Sequence, residues 1–141
     1  MKFVLDNSIT MRWLFGDEKK EDLDYAIAVL ETMKEAEASV PAIWGLEVSN
    51  VIAKAEAKGL IAESRSTLFI QMLNNLDIQP DMQTYLYSLN DILNLARRYG
   101  LSAYDASYLE LALRRNIPLA TLDEDLIKAV KKSGTEIYKS A

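Results

Sequence analysis

Four carboxylates stand where carboxylates are expensive. Glu47 follows Trp44 by three residues and precedes Val51 by four, which sets it within the apolar stripe of its own predicted helix. Asp105 has Leu101 four residues before it and Tyr108 and Leu109 three and four after. Asp6, in LDNS, and Asp123, in TLDED, each follow a short apolar run, just past the carboxyl end of a predicted strand. A buried ionised carboxylate is costly unless it is paired or metal-bound. With no Cys and no His in the chain, thiolate nucleophiles, Ser-His pairs, disulfides and His/Cys zinc sites are excluded. If the four acids converge, their repulsion forbids full ionisation at neutral pH unless cations intervene. An all-oxygen donor set suits Mg²⁺ or Mn²⁺. Such ions activate water and stabilise a leaving oxygen at phosphorus, which points to phosphoryl transfer.

Each acid also has a plainer role open to it. Asp6 fits an N-cap, Asp105 fits a Ser102-x-x-Asp capping box, and Glu47 could pair with a buried Arg or Lys. Asp123 could cap the last helix; Asp125 suits the dipole of that helix and is also a second candidate for the fourth acid. Ser8 and Thr121 flank the acids, with hydroxyls suited to metal-bound water, phosphate or capping. Asn50, one turn beyond Glu47, could orient it or serve as an interior amide. Trp44 and Tyr104 adjoin Glu47 and Asp105, for packing or for stacking a base.

The elements that must position these residues follow from periodicity. Phe3–Leu5 reads as a strand buried on both faces, followed by a helix over Ser8–Phe15 and another from Glu21 with Leu23, Ala26, Ile27, Leu30 and Met33 inward. A strand over Ser39–Ala42 precedes a helix from Ile43 that stops at Gly59. A second helix, from Ala62, aligns Leu68, Phe69, Met72, Leu73 and Leu76, giving a helical hairpin at about 43–76. An edge strand at Asp77–Pro80 leads to a helix over Gln83–Tyr99 with Leu86, Leu89, Leu93 and Ala96 inward. Ser102 caps the next helix, and strands at Ile117–Leu122 and Glu136–Tyr138 bracket a helix over Glu124–Ser133. Strands separated by helices predict a three-layer α/β/α arrangement around a parallel sheet, in one domain spanning 1–141.

Composition narrows the class further. Half the 141 residues are hydrophobic, enough to bury a core and to exclude disorder. The net charge of −5 sits entirely in Asp17–Glu37, where eight acids face three lysines. The remainder is balanced, so acidity is no bar to a nucleic-acid partner, and Arg97, Arg98, Arg114, Arg115, Lys128, Lys131 and Lys132 are candidates for phosphate contacts. No apolar run approaches membrane-spanning length, which predicts a soluble, cytoplasmic chain.

Read together, FVLDNSIT, VPAIWGLEVSNVI, LSAYDASYLELA and LATLDEDL resemble the PIN-domain ribonucleases, specifically VapC-type toxins of toxin–antitoxin pairs, over nearly the whole chain. The resemblance implies a PIN-like fold and a Mg²⁺- or Mn²⁺-dependent endoribonuclease whose metal-site acids are Asp6, Glu47, Asp105 and Asp123. It also implies an RNA substrate, a homodimer and inhibition by a cognate VapB-like antitoxin. Members often carry a basic residue before the helix Glu, where this chain has Gly45 and Leu46. Alternatives are a catalytically idle PIN-like scaffold for RNA or protein binding, or an acidic-pocket phosphotransfer or phosphatase domain. A receiver domain would need a late Lys where Thr121-Leu-Asp stands, and a dehalogenase-type phosphatase an Asp-x-Asp where Asp6-Asn-Ser stands.

Overall fold

The computed structural model describes residues 1–140. Four parallel strands, β1 (Lys2–Leu5), β2 (Glu37–Pro41), β3 (Ile78–Asp81) and β4 (Leu119–Ala120), lie in the order β3-β2-β1-β4. The chain steps from β1 through β2 to β3 in one direction, and β4 returns to the other side of β1. The strand order therefore reverses between β1 and β4, and the crevice beyond their carboxyl ends is where ligands of open α/β sheets bind.

The alternation of β1 organises the two faces. Val4 and Leu119 pack against α5 (Leu93–Tyr99), α6 (Ala103–Arg115) and α7 (Glu124–Ser133), in a core with Tyr108, Leu109, Leu126 and Val130. Phe3 and Leu5 point the other way, onto Ile9 of α1 (Asn7–Phe15) and Ala26 and Val29 of α2 (Lys20–Thr32). A third cluster joins α1 to α3 (Trp44–Ala57) and α4 (Glu63–Asn74) through Leu14, Val48, Ile52, Phe69 and Leu73. Helices thus cover both faces of the parallel sheet, as the sequence predicts.

The expected helix over Gln83–Tyr99 is broken into three pieces. A 3-10 turn at Thr84–Tyr87 and a π turn at Ser88–Ile92 precede α5. Thr84 Oγ1 donates to the Asp81 carbonyl at 2.9 Å and accepts from the Ala42 amide at 3.0 Å, which fixes the segment's start at the end of β3. Tight and wide turns in succession abandon the 3.6-residue period. Tyr87 and Ile92 turn inward, while Leu86 and Leu89, expected inside, are 66% and 84% exposed. Ile27 and Leu68, also on predicted inward stripes, are exposed as well. The expected strand at Glu136–Tyr138 reduces to an isolated bridge between Leu119 and Ile137. Stacking of the Tyr138 ring on Phe3, with centroids 4.2 Å apart, secures that segment.

Arg114 and Arg115 are not free to meet phosphate. Asp81, 1% exposed at the end of β3, accepts from Arg114 Nη2 at 2.5 Å and from Arg115 Nη2 at 3.1 Å. Arg114 Nε also donates to buried Glu110 at 2.7 Å, its guanidinium lies 4.3 Å from the centre of the Tyr87 ring, and Arg115 reaches Ser39 Oγ at 2.9 Å. Burial alone would raise the Asp81 pKa, but the hydrogen bonds and charge of Arg114 outweigh it and hold the carboxyl below its ordinary range. Its stabilising contribution is therefore present above the ordinary carboxylate pKa and lost as pH falls through the lowered one. Asp81→Ala strands buried cationic charge and is expected to cost about 3 kcal/mol or more in urea unfolding at pH 7. A loss below about 1 kcal/mol would show the cluster to be no stronger than a surface pair.

Candidate active site

Strand pairing places the first acid. The Asp6 amide donates to the Ala120 carbonyl at 3.0 Å, so the Asp6 side chain emerges beside Thr121 where β1 and β4 end. Asp6 occupies the N-cap position of α1, yet its carboxylate caps nothing. Its Oδ2 instead accepts from Ser8 Oγ at 2.6 Å and Thr121 Oγ1 at 2.7 Å. Those hydroxyls in turn accept from the Leu122 and Asp123 amides, at 3.0 and 3.1 Å. Two hydroxyls therefore splice the end of β1 to the β4–α7 loop, and through that loop they set the position of Asp123. Asp123 likewise starts α7 without a side-chain capping bond.

Helix starts deliver the other two acids. Glu47 lies in the first turn of α3, where its Oε1 accepts from the Tyr108 hydroxyl at 2.5 Å. Asp105 lies in the first turn of α6, which Ser102 caps by accepting from the Asp105 amide at 3.0 Å. This cap uses the Asp105 backbone and leaves its carboxylate for the crevice. No lysine or arginine among the described residues forms an ion pair with any of the four acids. The buried basic partner considered for Glu47 is thus replaced by a tyrosine hydroxyl.

The acids sense one another. Burial raises the Asp6 pKa, the Ser8 and Thr121 hydrogen bonds partly offset this, and the charge of Asp123 adds to the rise. Burial likewise raises Glu47 against the opposing Tyr108 hydrogen bond, with Asp6 adding repulsion. Asp105 is pushed up to about 7 by burial, then by Asp6, Asp123 and Glu47. Among the described residues no three carboxylates are yet drawn close enough to cage an ion. The donor set nevertheless fits a hard divalent cation: four carboxylates and two hydroxyls, no competing ammonium or guanidinium, and a proton held at Asp105 where positive charge is lacking.

Asn50 and Asp125 stand apart from this group. Asn50 is exposed on α3, and no hydrogen bond among the described residues joins it to Glu47, so it is neither an orienting residue nor an interior amide. Asp125 is exposed in the first turn of α7, and its charge is not among those that lift Asp105. Tyr108, one turn after Asp105, joins the site through its hydroxyl, a role its place in an apolar stripe does not reveal.

A raised carboxyl pKa lowers stability where the folded chain must give up the proton. For Asp105 that loss is absent below about pH 4, grows as pH rises and is complete above about 7. In EDTA, Asp105→Asn should therefore gain stability relative to the parent between pH 5 and pH 8 in urea unfolding. A pH-independent difference would show that Asp105 does not carry the strain.

Comparison with known proteins agrees with the fold. The model of the PIN domain family matches residues 3–132. Ribonuclease VapC3 of Pyrobaculum aerophilum is 26% identical over 126 residues, spanning 89% of this chain and 92% of the relative. Among solved structures, the VapBC2 complex of Rickettsia felis, bound to a DNA fragment from its promoter, superposes with a TM-score of 0.65 at 19% identity, covering 99% of this chain and 98% of its own. FitAcB of Neisseria gonorrhoeae superposes with a TM-score of 0.62 at 17% identity and the same coverage. With a family match over nearly all its length and the fold shared with these structures, the chain belongs to the PIN domain family.

Proposed function

We propose that the protein is a Mg²⁺- or Mn²⁺-dependent endoribonuclease, the toxin of a pair neutralised by a VapB-like antitoxin. The observation that carries this reading is that Asp105, near the switch point of the sheet, is lifted to about 7 by burial and then by the charges of Asp6, Asp123 and Glu47, which puts the four acids within electrostatic reach of one another. A related chain named as a ribonuclease and a similar VapBC complex support it.

In this reading the four carboxylates would hold the ions, and a bound divalent cation would supply Lewis acidity and an activated water. The chain's own residues prepare the place. Ser8 and Thr121 occupy one oxygen of Asp6 and Tyr108 occupies one oxygen of Glu47, so each acid keeps one oxygen free of side-chain hydrogen bonds. Burial and the neighbouring acids favour the protonated form of Asp105 below about pH 7, and a bound cation would favour its ionised form. Trp44 is half-buried and donates to Thr10 Oγ1 at 3.1 Å, which fits packing; Tyr104 is exposed beside Asp105 and free to stack an unpaired base.

Leu46, Tyr85 and Tyr104 stand exposed around one groove, with Leu46 and Tyr104 adjoining Glu47 and Asp105 in the chain, which supports a protein partner on that side, a second copy or the antitoxin. No helix among the described residues is long and apolar enough to cross a membrane, and a cytoplasmic location fits an RNA substrate.

RNA cleavage with Mg²⁺ or Mn²⁺ tests the reading. Asp6→Asn and Asp105→Asn are each expected to lower the rate by at least about 100-fold while melting like folded proteins. Equal cleavage by all three chains would sink the assignment. Because protons compete for Asp105, Mg²⁺ should raise the melting temperature more at pH 8 than at pH 5.5. The opposite order would count against these acids as ligands.

A further inference from the structure

Glu47 reaches the crevice from the start of α3 on a long side chain that is only half-buried. Asp6, by contrast, sits 3% exposed under two hydroxyl donors. Something else must hold Glu47, and the Tyr108 hydroxyl, 2.5 Å from Oε1, is its one hydrogen-bond partner among the described residues. The Tyr108 ring is 0% exposed, packed with Val4, Leu109 and Leu126 in the core of the α6 face. A ring so enclosed cannot follow a wandering carboxylate; the carboxylate must come to the hydroxyl. Tyr108 also stands three residues after Asp105, on the same side of α6. One helix therefore carries an acid of the site together with the donor that orients an acid from another helix.

We propose that Tyr108 is a positioning residue, whose buried hydroxyl pins Oε1 of Glu47 and presents the other carboxylate oxygen to a divalent cation. This rests on the reading of Glu47 as a ligand given above. The role is distinct from packing, because the whole ring except one oxygen atom survives in Tyr108→Phe. It is distinct from catalysis, because the hydroxyl acts through Glu47 and touches no reacting atom. Donors behind metal-binding side chains typically contribute about 10- to 100-fold in metal affinity.

The test is calorimetric titration of Mn²⁺ alone into the parent, Tyr108→Phe, Glu47→Gln and the double variant, with melting in EDTA as the check on folding. Tyr108→Phe should weaken Mn²⁺ binding about 10-fold or more. In the Glu47→Gln background the same substitution should add less than about 3-fold, because the residue it acts through is already disabled. Unchanged affinity in Tyr108→Phe, or an equal loss in both backgrounds, overturns the proposal. If Glu47→Gln itself binds Mn²⁺ like the parent, the ligand assignment fails and takes the inference with it. Should Tyr108→Phe not fold, the unsubstituted side chain can be read in protein labelled with ¹³C at tyrosine Cζ. The Tyr108 signal should shift on adding Mg²⁺ and on Glu47→Gln, and a signal unmoved by either overturns the proposal.

Discussion

The site depends on four mutually repelling carboxylates held partly or wholly out of water at one rim. Each acid at the rim follows a strand or lies in the first turn of a helix, where acidic side chains are common. Burying them near one another is what costs free energy, and it shows in Asp105, pushed up to about 7 by burial and then by the charges of Asp6, Asp123 and Glu47. Each of the other structural choices near the rim can be understood as a way to hold the group together despite that cost.

Hydroxyls are the chief means. A lysine or arginine among the acids would relieve the repulsion and also occupy the position that a cation needs. Ser8, Thr121 and Tyr108 donate hydrogen bonds to Asp6 and Glu47 without adding charge, so the electrostatic demand for an external cation is left intact. The guanidinium groups of Arg114 and Arg115, meanwhile, are committed to Asp81 and Glu110 at the far end of α6. Attraction serves the scaffold, and repulsion is reserved for the site.

Much of this was legible in the chain. The strand at Phe3–Leu5, the helices carrying Glu47 and Asp105, and the cap at Ser102 follow from short-range pattern, which local sequence encodes well. The segment after β3 was misread because Leu86, Leu89 and Leu93 sit at helical spacing, whereas the tie between Thr84 and Asp81 starts a different winding. The Asp81 cluster was hidden for a related reason: its members come from β2, β3 and α6, and nothing in the sequence pairs an acid at 81 with arginines at 114 and 115. Tyr108 looked like any apolar-stripe aromatic, because only tertiary packing shows where a hydroxyl points. Asn50 erred in the opposite sense, since one helical turn from Glu47 on α3 turned out to mean solvent.

The Asp81 cluster also constrains how the chain can change over time. Asp81, Glu110, Arg114 and Arg115 share their charges in a largely buried place, so altering one member leaves another uncompensated. Single substitutions at Asp81, Glu110 or Arg114 are therefore the costly ones, whereas the Arg115 side chain, 38% exposed, has solvent within reach. Because α6 also bears Asp105 and Tyr108, three of the four share the helix that serves the rim, Glu110 about one and a half turns and Arg114 and Arg115 about two and a half to three turns beyond its acid.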